Sequence, residues 1–135
     1  MRRLSITLLS SLIILALSSC SEDTEVGLEP DDDITGSWSL VRLEGGLSGI
    51  VTEFQPGDVI LDFSSDQVTI TSDDNYDLGF SVGVYDYQIE STDSGNALLV
   101  GEGILNGTFE LFITRFTIDQ RAWDGPLYTF ERNLN

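Results

Sequence analysis

From Thr35 onward the apolar residues of this chain recur at every second position. That period belongs to a strand with one face buried. Val59, Leu61 and Phe63 share one face, as do Val68 and Ile70, then Tyr85, Tyr87 and Ile89, then Phe109, Leu111 and Ile113, and finally Tyr128 and Phe130. No stretch there sustains a 3.6-residue apolar stripe over two or three turns, so helix should be scarce.

Turn chemistry separates these runs. Pro56-Gly57 and Ser64-Ser65-Asp66 bracket the first clear strand, and Ser72-Asp73-Asp74-Asn75 and Asp93-Ser94-Gly95-Asn96 open loops. Asn106-Gly107 reads as a two-residue hairpin turn, because such a turn needs positive φ at both positions. Asp124-Gly125 followed by Pro126 sets up the last hairpin. The expected fold class is all-β: seven or eight antiparallel strands in chain order within residues 35–135. A sheet of that kind must close or fold on itself to protect its edges, giving a small barrel or flattened sandwich.

The first residues have a different character. Arg2 and Arg3 precede an apolar stretch, Leu4 to Leu17, whose 14 residues are too few for a bilayer-spanning helix of roughly 20. It ends on Leu17-Ser18-Ser19-Cys20, which resembles the lipobox of bacterial lipoproteins: an aliphatic residue, two small ones, and the cysteine that is acylated and becomes the new N-terminus. Cys20 is the one cysteine in the chain, so no disulfide is available to staple the domain. The resemblance implies a cleaved signal peptide (1–19), an acidic tether (20–34) and a β-domain (35–135). It also implies firm membrane anchoring through palmitate-like chains on Cys20, since each buried CH₂ contributes about 0.8 kcal/mol.

Cleavage removes Arg2 and Arg3, so the formal charge of −17 becomes −19, with no lysine or histidine anywhere in the chain. Such a surface excludes nucleic acid as a partner, whose phosphates need cations. The acid is concentrated in Ser21-Glu22-Asp23-Thr24-Glu25 and Glu29-Pro30-Asp31-Asp32-Asp33, which should form an extended, self-repelling linker. The first block resembles the export signal of surface lipoproteins in Bacteroidetes, a Ser or Lys followed by several acids directly after the lipidated cysteine. That implies display on the cell surface from the outer membrane.

Gly36-Ser37-Trp38 at the start of the domain, with Leu127-Tyr128-Thr129-Phe130-Glu131-Arg132 at its end, resembles the lipocalin-like domains of bacterial lipoproteins. Their Gly-x-Trp opens the first strand, and an Arg on the last aromatic-rich strand packs across that Trp at the barrel floor. The structural signature here would be Gly36, Trp38 and Arg132. The domain is much shorter than a full lipocalin, and it lacks the longer helix that follows the barrel in larger members. The opening also resembles that of the META-type domains, but their Gly-Cys-Asn segment has no counterpart.

The inventory for chemistry is thin. Without histidine the commonest general base and zinc ligand are missing, and without lysine there is no Schiff-base amine. No nucleophile elbow or phosphate-cradling loop is present, and nothing singles out a carboxylate pair among 23 acids. Asp73, Asn75 and Asp77 place oxygens at alternate positions, as calcium loops begin. Leu78 and Val84, however, stand where an EF-hand needs Gly and the bidentate Glu. An exposed turn is the expected reading, a low-affinity Ca²⁺ site the alternative, and no other cofactor is expected. Tyr76 and Trp123 are the candidate ligand contacts, as aromatics at loop and strand ends that can stack on a sugar or peptide, or simply cap the barrel.

The sequence therefore leads to a non-catalytic, monomeric binding or accessory module on the outer membrane, with an unidentified small ligand or surface protein as partner. A structural or interaction role in a surface assembly without small ligand is the runner-up. A carboxylate-based hydrolase is the third class.

Overall fold

The computed structural model describes residues 33–45, 49–73 and 76–134. They form one sheet of nine antiparallel strands: β1 (Gly36–Gly45), β2 (Ile50–Glu53), β3 (Val59–Phe63), β4 (Gln67–Ser72), β5 (Gly83–Thr92), β6 (Gly95–Val100), β7 (Leu105–Leu111), β8 (Arg115–Asp119) and β9 (Pro126–Arg132). The 3₁₀ turn Arg121–Trp123 joins the last two. β9 returns to pair with β1, so eight strands close into a barrel and β2 is a ninth, extra strand. Among the described residues there is no α-helix, as the two-residue apolar period demands.

β1 organises the closure. One edge lies along β9, while the other is shared: Gly36–Ser39 pair with β3 and Arg42–Gly45 pair with β2. β2 and β3 are thus two halves of one interrupted strand. The interruption matches a bulge in β1, where the register with β9 shifts between Leu40 and Arg42. The extra residue, Val41, accepts a hydrogen bond from the Phe54 amide (3.0 Å), and Phe54 turns into the core.

The barrel has two ends. Gly36, the Phe63–Gln67 turn, the Thr92–Gly95 turn, the segment between β7 and β8 and Arg132 lie at one, called here the floor. Gly45, Ile50, the described part of the β4–β5 loop (73 and 76–82) and the β8–β9 turn lie at the other, the roof.

Between them the inward faces meet. Phe116 is fully buried at the centre of an aromatic cluster. It stacks on Phe130 (centroids 4.4 Å apart) and meets Trp38 (4.9 Å), Phe109 (5.7 Å) and Phe63 (6.0 Å) edge-on or tilted. Leu40, Leu61, Val68, Ile70, Leu98, Val100 and Ile118 complete the filling. The alternations read in the sequence for β3, β4 and β9 point inward as expected; Tyr85, Tyr87 and Ile89 of β5 are half-buried against the same core.

One turn assignment and one strand assignment need correction. Asn106-Gly107 is no turn: both residues lie inside β7, opposite Leu99 and Leu98, and the chain reverses instead at Gly101–Ile104. Glycine is needed at 107 for space, because a Cβ there would come within 2.8 Å of both the Asp119 carbonyl oxygen and Ile118 Cγ2. Ile113 does not extend the Phe109–Leu111 alternation. Leu111 pairs with Phe116 and the Phe112 amide donates to the Arg115 carbonyl (2.7 Å), which leaves Ile113 on an exposed turn. Asp124-Gly125 does set up the last hairpin, with Asp124 at φ 59° in the left-handed region.

Candidate functional site

The floor is one interlocked unit. Trp38 is fully buried, and its indole N–H donates to the Ile34 carbonyl (2.7 Å). The Arg132 guanidinium lies over its ring, 4.1 Å from the centroid, and Nη1 donates to the Thr35 carbonyl at 3.1 Å. Gly36, at φ 109°, leaves room for this: a Cβ there would lie 3.3 Å from Arg132 Nη1. The three residues singled out in the sequence therefore meet, and what they do together is seal the barrel. Beside them Asn133 links Ser37 and Ser39 (2.9 and 2.7 Å), which leaves the buried Ser39 hydroxyl satisfied. Asp33, at the first described position, is held ionised to lower pH by hydrogen bonds from the Thr35 side chain and amide.

The roof is closed by the β4–β5 loop. Leu78 is buried, its carbonyl accepts the Tyr128 hydroxyl (2.9 Å), and Phe80 leans on the Tyr128 ring (5.5 Å). Burial, reinforced by the charge on Asp77, pushes the Tyr128 phenol up to about 12. Tyr76 meets Phe54 edge-on (5.1 Å) and its hydroxyl donates to Asp58 Oδ2 (3.0 Å). Tyr76 is thus used to pin the loop across the gap where β2 and β3 are interrupted. Of the calcium-spaced residues, Asp73 and Asp77 are exposed and Asn75 lies outside the described residues. Among the described residues, no three acidic, His or Cys side chains are grouped to hold a metal ion.

Trp123 is carried by a different element from Tyr76. It rides the 3₁₀ turn at the roof and is 69% exposed. Its turn is fixed by Arg121, whose guanidinium grips Asp119 (2.6–3.1 Å); that grip holds the Asp119 carboxyl below the usual range. Ile50 and Val51 of β2 are exposed at the same end, since Gly45 pairs with Ile50 on one side and with Pro126 on the other. Along β5, the run Val84 to Gln88, including the half-buried Tyr85 and Tyr87, borders with Gln67, Leu99 and the Gly101–Ile104 turn an open groove of about 760 Å³, in which Gln67 Nε2 donates to Asp86 Oδ1 (3.0 Å). No motif in the sequence marks this groove, which forms where β5 passes from pairing with β4 (Gly83–Asp86) to pairing with β6 (Tyr87–Thr92).

Cys20 and the acid block behind it lie outside the described residues. Among the described residues no helix is long and apolar enough to cross a membrane. No protein-family model matches the chain, and neither a curated protein nor a solved structure shows detectable similarity to it.

Proposed function

We propose that the chain is an exported lipoprotein, anchored through lipid on Cys20 and displayed on the cell surface from the outer membrane. Its barrel is a non-catalytic binding or accessory module that engages its partner on its outside. The observation that carries the second half is the packed interior. Phe116 and the four rings around it occupy the space in which a larger barrel of this architecture would hold a small ligand. With the floor sealed by Trp38 and Arg132 and the roof by Leu78 and Phe80, recognition falls to the surface. The Gly36–Trp38–Arg132 arrangement also supports kinship with the lipocalin-like lipoproteins that the two ends of the domain resemble.

The test is uptake of a small apolar ligand. In a Trp123→Phe variant the remaining tryptophan is Trp38, which reports on the interior. Titration with a fluorescent fatty acid should leave Trp38 emission unchanged. Saturable one-to-one binding that alters it would return the function to the inside of the barrel. A role in a surface assembly without small ligand is the second reading, and the exposure of Ile50, Val51 and Trp123 together at the roof favours it.

A further inference from the structure

Three apolar side chains at the floor are left in water. Phe112 is 46% exposed, Ile113 74% and Leu134 78%. The Arg132 amide donates to the Thr114 carbonyl (2.8 Å), which places the end of β9, two residues before Leu134, beside the turn that carries Phe112 and Ile113. The Arg115 guanidinium lies over the Phe112 ring, 4.9 Å from its centroid.

The same corner is where the tether leaves the barrel. Arg132 Nη1 and Nη2 donate to the carbonyls of Thr35 and Asp33 (3.1 and 3.5 Å), so the first described residue is fastened to the strand that ends beside Leu134. Cys20 lies 13 positions before Asp33. Fully extended, that length reaches about 45 Å, so lipid on Cys20 keeps this corner near the bilayer and leaves the distance adjustable.

We infer that the Phe112–Ile113 turn and Leu134 form a membrane-docking tip that dips into the interfacial layer of the bilayer holding the lipid anchor. This rests on the lipid-anchored reading above. The chemistry suits an interface. An aromatic and two aliphatic side chains enter the headgroup–acyl boundary, and Arg115, riding on Phe112, meets phosphates at the depth where they lie. Phe112, Ile113 and Leu134 are themselves uncharged, and the carboxylates nearest to them in the chain are Glu110, exposed two residues before Phe112, and Glu131, three before Leu134. Glu131 pairs in register with Arg115, and Asp33 is turned back onto Thr35. The rest of the surface is strongly acidic and is repelled by anionic headgroups, so docking is confined to this end. It leaves the roof, with Trp123, Ile50 and Val51, facing outward.

The experiment uses the full chain, processed in the producing bacterium and reconstituted into vesicles of phosphatidylethanolamine and phosphatidylglycerol. Ile113→Cys and, separately, Leu134→Cys carry an environment-sensitive fluorophore, with Ala122→Cys in the roof turn as control. An acylated Cys20 is blocked, so each variant takes up one label and floats with the vesicles. Two labels and no flotation would overturn the anchoring and this inference with it. In a chain that floats with one label, shallow lipid-borne quenchers should quench at 113 and 134 at least about twofold more than at 122. Equal quenching at all three positions, or more at 122, would overturn the docking tip and leave the anchor intact.

Discussion

Replacing Phe116 with alanine should cost this domain a large part of its stability. The ring is fully buried and touches four other aromatic rings, the nearest stacked at 4.4 Å. Returning its apolar surface to water in the unfolded reference removes about 2–3 kcal/mol. If roughly 80 Å³ of the vacated space stays open, the cavity adds about 2 kcal/mol at about 24 cal/mol per Å³. Collapse is hindered because the four surrounding rings sit on four different closed strands, Trp38 on β1, Phe63 on β3, Phe109 on β7 and Phe130 on β9, while Phe116 itself is on β8. The expected loss is therefore about 4 kcal/mol, out of the 5–15 kcal/mol typical of a whole domain. Urea unfolding of the mature chain should show the midpoint shifted with an unchanged slope, and the melting temperature should fall by roughly 15–30 °C. Phe112→Ala, at the exposed floor turn, should change stability by less than about 1 kcal/mol. If Phe116→Ala cost no more than Phe112→Ala, the interior would not be packed as described. Recognition on the outside of the barrel would then lose its structural basis.

Three further outcomes follow from particular contacts. Gly107→Ala should destabilise by about 1–3 kcal/mol, because its Cβ meets backbone and Ile118 at 2.8 Å; a neutral result in chemical denaturation would restore the turn at Asn106-Gly107. Tyr128 titrates near 12 in the fold against 10 when unfolded, so its contribution is complete below pH 10. About 2–3 kcal/mol should be lost between pH 10 and 12, where the unfolded chain ionises first. A stability profile of Tyr128→Phe should lack that loss, and an identical slope in both proteins would refute the buried phenol. Millimolar calcium should leave the melting temperature unchanged, whereas a rise abolished by Asp73→Asn with Asp77→Asn would establish a site there.

The sequence made the inward faces legible because burial on a strand is written in alternate residues, and Val59, Leu61 and Phe63 needed no knowledge of their partners. The pairing of Trp38 with Arg132 was readable only through resemblance, since 94 positions separate them and nothing local joins them. Gly107 was misread for the same reason: its role is set by Ile118 and Asp119 across the sheet, and a local turn signal cannot report that. The split of one strand into β2 and β3 depends on the bulge at Val41, and the burial of Leu78 within an acid-rich loop depends on Tyr128. Each is decided by a distant strand. The roof residue Trp123 was visible as an aromatic at a turn, but the exposed floor triad was hidden because Ile113 kept the strand period by coincidence.

The anchoring on which the functional account stands is decided by the N-terminal peptide of the protein purified from its own membranes. Mass spectrometry should find a chain beginning at Cys20, with the residue heavier by its acyl substituents and the peptide Ser21-Glu22-Asp23-Thr24-Glu25 following directly. An unmodified Cys20 thiol, or a mature N-terminus at any other position, would contradict it.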